Sequence, residues 1–453
     1  MQRSNTILVC RLAFLLISLL PTLLVGMWVL GRLVPQHAAA ERAEWEHELS
    51  TRLGCTVKIG QLSYPHYAVA VLHDVQLSDS ETGAPIAVMD TVEAGRVNAG
   101  WEINVSQAEA RAEQLPRLMD RLHDRLLCSG TPAQCQFTAS RLTIRGGEAT
   151  SPQAPAQTVT NLSGQLRSAA DGPEITISCQ LPEFAETTDP PIQLTLSRSR
   201  ESSPPATRWR FSSPTAVPCV AAVDFAPVLA QLGPRATFQG EASFVTARDG
   251  WEGEIAGVFA NVDLTTLVSE QFPHLLSGTA TVRLERLTLT QGRIALAQGS
   301  VQVVGGGRIG ESLLTAAGQS LGLTATLRDS KQPGEPKQRA YPYRQLSIGF
   351  FLDEQSLLLT GNADVAQPGV LVASAVGPLL EVAPDHAAPA LGLVRMLTPS
   401  SQLQVPATPL TAALVRMLPL PNQEPSAAPR TSHTTARLRP ASRATDKDVI
   451  RER

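Results

Sequence analysis

A glycine-rich segment offers the chain's closest approach to a chemical motif. Residues 305–312 read GGGRIGES, which fits the spacing G-x-G-x-x-G, follows an alternating apolar run and leads into a helical pattern. Glu311 stands where a P-loop has the lysine that meets the β- and γ-phosphates, and its carboxylate would repel them. A dinucleotide site needs a parallel βαβ unit, whereas the neighbouring runs are typical of antiparallel hairpins. We therefore expect a tight turn from strand to helix, where glycine supplies conformational freedom.

Histidine and cysteine spacings do not indicate a catalytic or metal site. The eight histidines are scattered, and the sequence contains no H-E-x-x-H, G-x-S-x-G or C-x-x-C pattern. Cys128 and Cys135 are the most closely spaced cysteines, so they are the first candidates for a disulfide if the chain is exported to an oxidising compartment. Buried free thiols are an equal alternative. The sequence predicts a protein that is not an enzyme and holds no cofactor or metal.

Charge and composition exclude one class of partner and limit the kind of core. The formal net charge is −3 over 453 residues, so no global electrostatic field would recruit nucleic acid. Apolar residues make up 43% of the chain and aromatic residues only 4%, which predicts cores built from aliphatic side chains.

An uninterrupted apolar segment near the amino terminus has the length of a membrane span. Residues 12–31 read LAFLLISLLPTLLVGMWVLG without a charge, and at about 1.5 Å per residue they match a hydrocarbon core of about 30 Å. A signal peptide cleaved near residues 38–40 is the alternative, but its apolar region is usually only about 7–15 residues long. We expect an uncleaved single-pass anchor in the inner membrane, with 1–11 in the cytoplasm and the bulk of the chain in the periplasm.

Apolar and polar residues alternate in short runs along most of the remaining chain. Examples are Ile175, Ile177 and Leu181, then Ile192, Leu194 and Leu196. Alternation with a period of two places apolar side chains on one face of a strand. Turn residues separate the runs at intervals of about 8–12 residues, which favours antiparallel hairpins. The sequence therefore predicts a mainly β protein with an extended antiparallel sheet that has one apolar face.

Three segments interrupt this alternation with helical spacing. They are 109–128, a shorter stretch from Leu264 to Leu276 that Pro273 would bend, and Ser312–Leu321. We expect all three to form amphipathic helices that pack on the sheet.

A repeated motif and a change in composition mark the end of the chain. LVRML occurs at 393–397 and 414–418, which predicts two short helices that cap the sheet or lie on a membrane surface. The last residues lack periodicity and are rich in Ser, Thr, Pro and Arg, which predicts a disordered tail. The predicted regions after the anchor are 38–135 (first β region, with the helix 109–128), 136–234 (middle β region with Pro-rich linkers), 235–328 (second β module), 344–420 (last strands and two short helices) and 421–453 (tail).

Two groups of short segments share residue patterns with one known family. The first group is 52–59 (RLGCTVKI), 73–80 (HDVQLSDS), 83–87 (GAPIA) and 92–96 (VEAGR); the second is 262–264 (VDL), 276–278 (LSG), 292–294 (GRI), 297–301 (AQGSV) and 307–314 (GRIGESLL). Placed after a membrane segment and an acidic helix, they resemble the beginning and the carboxyl-terminal module of AsmA-like proteins. The region 136–234 carries no such resemblance.

The resemblance implies a membrane-anchored sheet that curves into a trough with an apolar lining, which in that family is associated with lipid acyl chains and envelope biogenesis. The residues expected to line it are Val282, Leu284, Leu287, Leu289, Ile294 and Leu296. The partners would be membrane lipids, together with other envelope proteins. The alternatives are an envelope scaffold that binds proteins through sheet edges and an exported enzyme.

Overall fold

The computed structural model describes Phe14 and residues 20–32, 35–66, 68–97, 100–128, 134–146, 156–183, 189–200, 205–247, 250–326, 339–354, 356–364, 367–384 and 386–398. The chain divides into two compact units, Met1–Pro419 and Leu420–Arg453, and the description below concerns the first. The predicted helix at 414–418 and the predicted tail 421–453 lie outside the described residues.

Strands dominate the fold, as the alternating pattern predicts, and account for 57% of the part of the chain that the structure describes. The strands are β1 Thr56–His66, β2 Val69–Ser78, β3 Pro85–Val97, β4 Gly100–Arg111, β5 Cys135–Arg145, β6 Gln157–Ala169, β7 Gly172–Gln180, β8 Ile192–Ser199, β9 Ala206–Pro218, β10 Thr237–Ala247, β11 Gly250–Asp263, β12 Leu276–Ser277, β13 Thr279–Thr290, β14 Arg293–Val303, β15 Gly307–Gly310, β16 Thr324–Ala325, β17 Ala340–Tyr343, β18 Gln345–Leu352, β19 Leu357–Gly361, β20 Val370–Ser374, β21 Gly377–Glu381 and β22 Ala387–Ala388. The α-helices are α1 Leu20–Arg32, α2 Pro35–Leu53, α3 Leu115–Leu122, α4 Glu311–Leu321 and α5 Ala390–Leu397.

Nineteen of these strands form one large sheet whose neighbours follow the chain order closely. Strands β1 to β11 pair in succession, and β13, β14 and β18 continue the series. At β18 the sheet branches, because β19 and β20 both pair with it. The three short strands β12, β15 and β17 form a second sheet. The prediction of a large, mainly antiparallel sheet is confirmed.

One parallel pair interrupts the antiparallel order among the described strands. Strand β4 runs parallel to β5, and a parallel pair needs a crossover connection. Residues Ala112–Leu127 supply it as a 3₁₀ turn, α3 and a π-helical turn. The helix predicted at 109–128 therefore begins later than expected, because its first residues complete β4.

The other predicted helices have different outcomes. The prediction at Ser312–Leu321 is confirmed by α4, and the first LVRML copy lies in α5. The stretch from Leu264 to Leu276 forms only a π-helical turn at Thr265–Ser269 before β12 begins.

The glycine-rich segment joins the small antiparallel sheet. Strand β15 pairs antiparallel with both β12 and β17 before α4 begins, so the segment is not part of a parallel βαβ unit. A Cβ atom on Gly307 would overlap the carbonyl oxygen of Ser277. Glycine is required here because two strands approach closely. The expected tight turn from strand to helix is wrong in form, because residues Gly307–Gly310 make strand β15 and α4 follows directly at Glu311.

The amino-terminal helices are described only in part. Of the predicted span 12–31, residues 12–13 and 15–19 lie outside the described residues, and Leu20–Gly31 belong to α1. None of the helices in the described part of the chain combines the length and apolar character needed to cross a membrane.

Helix α2 covers the free edge of β1, which pairs on its other side with β2. Ser50 Oγ and Glu46 Oε1 accept hydrogen bonds from the backbone N–H groups of Val57 and Ile59, both at 2.9 Å. Arg42 Nη1 donates to the carbonyl oxygen of Gly60 at 3.0 Å. The three side chains lie four residues apart and form one stripe along the helix. They occupy backbone groups that an exposed edge strand would offer to another chain.

Removing this cover should loosen β1 first. In the double variant Glu46→Ala/Ser50→Ala, the amides of Val57 and Ile59 lose their acceptors, and each lost hydrogen bond costs about 0.5–1.5 kcal/mol. We expect hydrogen–deuterium exchange in a peptide covering β1 to accelerate roughly tenfold or more. Glu44→Ala, an exposed position on the same helix, should leave exchange unchanged. Equal exchange in the double variant and the wild type would contradict the edge-covering role.

Candidate functional site: the apolar face of the sheet

One row of side chains crosses the large sheet without a polar residue. Directly paired residues of neighbouring strands project on the same side, so the pairings trace the row from strand to strand. It consists of Ala70, Ala94, Ile103, Phe137, Gly164, Ile177, Leu194, Phe211, Ala242, Ile255, Leu287, Ala297, Leu352, Leu357 and Ala388. We name the side of the sheet that carries this row the apolar face.

The adjacent row projects on the opposite side and is polar along most of its length. It consists of Glu102, Gln136, Gln165, Thr176, Thr195, Arg210, Ser243, Glu254 and Thr288. Glu254 forms an exposed ion pair with Arg286 at 2.9 Å on this side. The two faces therefore differ in chemistry from β4 to β13, as the alternation predicts.

Three residues with a left-handed backbone shift the alternation by one position within strands. Asp74, Asn161 and Asn261 have φ angles of 53°, 51° and 57°. In each case, one apolar residue lies two positions before the left-handed residue and another lies directly after it. These apolar pairs are Leu72 and Val75, Val159 and Leu162, and Phe259 and Val262. The pairing is irregular at Asn161 and Asn261, as in a β-bulge. Asp and Asn tolerate this conformation better than other side chains, so they return the following apolar residues to the apolar face.

Phenylalanine rings lie over glycines at three cross-strand pairs of the apolar face. The pairs are Phe137 with Gly164, Phe244 with Gly253, and Phe350 with Gly299. A Cβ atom added to Gly164 would overlap the Phe137 ring, and one on Gly253 would lie 2.6 Å from the ring of Phe244. The glycines thus provide the space in which the rings lie flat against the sheet.

Helices cover the apolar face at both ends of the sheet. At the first end, Trp45, Leu49 and Leu53 of α2 pack with Leu118 of α3 against the core of β1 to β4. At the other end, α4 buries its apolar stripe in the core formed by β13, β14 and β18 to β22. The stripe consists of Leu313, Leu314, Ala317 and Leu321.

Between these covers, the apolar face of the middle strands is buried in part. Leu166, Ile175 and Leu196 are buried in one core with Leu127 of the crossover segment, and Val159 and Ile192 belong to another small core, whereas the row between them is half-buried. The half-buried residues from β7 to β11 are Ile177, Leu194, Phe211, Phe238, Ala242, Ile255 and Phe259. The rings of Phe238 and Phe259 are 4.7 Å apart, and those of Phe211 and Phe238 are 6.3 Å apart. These aromatic residues were missed by sequence reasoning, which placed the lining on β13 and β14.

Five of the six predicted lining residues lie on the apolar face. They are Val282, Leu284, Leu287, Leu289 and Ile294, and all are half-buried. Val282, Leu287 and Ile294 pack against the core beneath α4. Part of the predicted lining therefore belongs to a closed core.

The sixth predicted residue, Leu296, lies on the polar face. It pairs with Thr288, whereas Ile294 pairs with Leu289. The pairing shifts between these two positions, so the strand gains one residue and Leu296 projects away from the other five. The prediction that Leu296 lines the same surface is therefore wrong.

An ion-pair network fixes α3 next to the first strands. Asp79, in the turn after β2, is 2% exposed and accepts a hydrogen bond from Arg121 Nη2 at 2.6 Å. Arg121 also donates to the carbonyl oxygen of Gly54 at 2.6 Å. The backbone N–H of Glu81 lies 2.9 Å from Asp79 Oδ1. This hydrogen bond, together with Arg121, holds the pKa of the Asp79 carboxyl below its usual value.

The described cysteines carry free thiols, including Cys128 and Cys135, so the structure contains no disulfide between that pair. Burial raises the pKa of Cys179 and Cys219 to about 11, which keeps both thiols protonated and unreactive near neutral pH. The alternative of buried free thiols fits Cys55 and Cys219, whereas Cys128 is exposed and Cys135 and Cys179 are half-buried.

No protein-family model and no curated protein sequence matches the chain. The similarity to AsmA-like proteins therefore stays an interpretation of residue patterns.

A Cβ atom at Gly164 should destabilise the sheet. The variant Gly164→Ala forces the Phe137 ring to move, and overpacking of this kind costs about 1–3 kcal/mol. Urea unfolding should show a lower midpoint than in the wild type. Gly305→Ala is the control, because a Cβ atom there meets no atom within 4 Å. If both variants unfold at the same urea concentration, the ring does not depend on the glycine.

The stability that Asp79 contributes should depend on pH. Its folded-state pKa lies below the ordinary value of about 3.8, so the contribution is present above that value and is lost as the pH falls through the folded-state pKa. We expect Asp79→Asn to be less stable at neutral pH and to lose less stability than the wild type below about pH 4. Urea midpoints between pH 7 and pH 3 measure this. The control Asp120→Asn, on the exposed side of α3, should show the same change of urea midpoint with pH as the wild type. If the urea midpoint of Asp79→Asn changed with pH as much as that of the wild type, the Asp79 carboxylate would be excluded as the cause.

Proposed function

We propose that the protein is a membrane-anchored, non-catalytic envelope protein that holds or transfers lipid acyl chains on the apolar face of its sheet. The observation that carries this proposal is the half-buried row of that face from β7 to β11. An apolar surface of this kind favours an apolar occupant, because removing it from water is favourable by about 25 cal/mol per Å². Acyl chains bind such a surface without needing a polar partner.

The dimensions of the half-buried stretch suit an acyl chain. From β7 to β11 the sheet crosses four strand spacings, or about 19 Å at roughly 4.8 Å each. A bilayer's hydrocarbon core is about 30 Å thick and contains two opposed layers of chains, so one chain spans about 15 Å. The stretch therefore matches the length of one chain lying across the strands.

Contacts around α3 support a trough-like curvature of the sheet. Arg121 bonds to Asp79 before β3, and His123, two residues later, bonds to Thr207 on β9 at 2.8 Å. In a flat sheet, β3 and β9 would be six spacings, or about 29 Å, apart. Two residues of a helical segment cannot span that distance, so the strands between must bend around it.

The anchor belongs to the same proposal. Helix α1 exposes the side chains of Leu20, Leu23, Leu24 and Val25 by 50–60%, which is unfavourable in water and favourable in lipid. Together with the uncharged sequence 12–31, this supports insertion in the inner membrane, with the sheet on the periplasmic side. The first strands would then lie near the bilayer surface, where lipid can enter.

The scaffold alternative receives less support from the first sheet edge. A scaffold that recruits proteins by strand addition needs free backbone groups along an edge strand. Arg42, Glu46 and Ser50 already occupy such groups on β1.

A pair of neighbouring substitutions tests lipid binding. Ala242 lies on the apolar face between Phe211 and Ile255, whereas Ser243 lies on the polar face between Arg210 and Glu254. A carboxylate at 242 would have to be desolvated beneath an acyl chain, which costs several kcal/mol. We expect Ala242→Asp to lose at least about tenfold of the lipid that co-purifies with the detergent-extracted protein, as measured by mass spectrometry. Ser243→Asp should retain it.

Two results would count against the proposal. The wild type might retain no more phospholipid or glycolipid than an unrelated anchored protein, or the two Asp variants might retain equal amounts while both keep the wild-type β signal in circular dichroism. Either result would favour the scaffold.

A further inference from the structure

Three metal-binding side chains meet at the end of the helical segment that crosses from β4 to β5. One donor atom each from His123, Asp124 and Cys128 lies within 4.8 Å of the other two. His123 Nδ1 is 3.1 Å from Asp124 Oδ1 and 3.8 Å from Cys128 Sγ. The Asp124 and Cys128 side chains are exposed, so an ion can reach them from solvent.

The backbone brings two of these ligands together by an unusual turn. The segment His123–Leu127 is π-helical, and the N–H of Cys128 donates to the carbonyl oxygen of His123 at 3.1 Å. In an α-helix, with about 3.6 residues per turn, a residue five positions on would lie about 140° around the axis. The π turn places Cys128 beside His123 instead. Such turns are rare and occur frequently at functional sites.

The spacing of the donors fits tetrahedral zinc. Zinc–ligand distances are about 2.0–2.1 Å to nitrogen, 2.0–2.2 Å to oxygen and 2.3 Å to sulfur. Tetrahedral angles then require about 3.6 Å between nitrogen and sulfur and about 3.4 Å between nitrogen and oxygen. The observed separations of 3.8 Å and 3.1 Å are each within about 0.3 Å of these values. His123 Nδ1 is therefore spaced for tetrahedral coordination together with each of the other two donors, which lie within 4.8 Å of one another.

A buried hydroxyl orients the histidine ring. Thr207 on β9 is 1% exposed, and its Oγ1 lies 2.8 Å from His123 Nε2 and accepts a hydrogen bond from Arg198 Nη1 at 2.9 Å. A hydroxyl oxygen has two lone pairs, so it can accept from Nε2–H as well as from Arg198. That tautomer leaves the lone pair of Nδ1 directed at Asp124 and Cys128. Metal-binding histidines are commonly held in this way through their other nitrogen.

We propose that His123 Nδ1, Asp124 Oδ1 and Cys128 Sγ bind one zinc ion, with a water molecule as fourth ligand on the solvent side. Binding converts the Cys128 thiol to a thiolate, and the released proton goes to solvent. The ion would fix the end of the crossover segment in its π-turn conformation. None of the three ligands belongs to the half-buried row of the apolar face.

Cobalt(II) titration of the full-length protein, with a reductant that contains no thiol, tests the site. Cobalt(II) replaces zinc in tetrahedral sites, and its bond to a thiolate gives a charge-transfer absorption in the near ultraviolet. We expect one equivalent to produce this band and zinc to abolish it by displacement. Cys128→Ser and His123→Gln should lose the band, whereas Cys135→Ser, which removes the next thiol along the chain, should keep it.

The role of Thr207 gives a second measurement that separates positioning from ligation. Thr207→Val removes the hydroxyl that orients the ring, and loss of such a partner weakens metal binding about 10- to 100-fold. Thr207→Ser keeps the hydroxyl and should bind as the wild type does. Absence of the band in the wild type, or its persistence in Cys128→Ser, would overturn the proposal. Circular dichroism of each variant confirms that the β signal is retained.

Discussion

The structure depends on keeping apolar side chains on one side of a sheet that extends over nineteen strands. In any strand pair, a slip of one residue turns every side chain to the other face. An error in one strand would therefore be passed to its neighbours. The row from Ala70 to Ala388 shows that the faces stay consistent, and the left-handed residues Asp74, Asn161 and Asn261 restore the phase where strict alternation ends.

A one-faced sheet leaves the problem of what covers the apolar side. Helices α2 and α3 cover it at the first strands, and α4 with α5 covers it at the last. The end of the crossover segment, at Leu127, also buries Leu166, Ile175 and Leu196 on β6 to β8. The covers consist of local chain segments, so each end forms a conventional buried core. The middle strands also carry half-buried aromatic residues, and the proposed acyl chain would complete their burial. Val282, Leu287 and Phe259 pack against the core beneath α4, whereas Phe238 is half-buried between the rings of Phe211 and Phe259.

Sequence alone predicts the sheet because alternation is a property of each strand by itself. It also predicts α4, since Ser312–Leu321 has clear helical spacing and a glycine follows it. The direction and register in which neighbouring strands pair are harder to predict from the sequence. The parallel pair β4–β5 has no local signature, and Leu296 looks equivalent to Ile294 until the pairing with β13 reveals an extra residue. The phase shifts at Asp74, Asn161 and Asn261 can in principle be predicted from the sequence, because each of these residues lies between two apolar residues that are three positions apart.

The crossover segment links the two proposals through its position. It is attached to the first strands by Arg121 and to β9 by His123. Its Leu127 side chain is fully buried in a core with Ile175 on β7 and Leu196 on β8. Because two attachments so close in the chain reach strands far apart in the sheet, the segment both covers the apolar face and sets how sharply the strands bend. An ion bound at His123 would stiffen the attachment to Thr207, which projects on the same side of β9 as Phe211 but lies four residues away from it. Ala242 and Cys128 lie at separate places, on β10 and on the crossover segment, so variants at the two positions test lipid retention and metal binding separately.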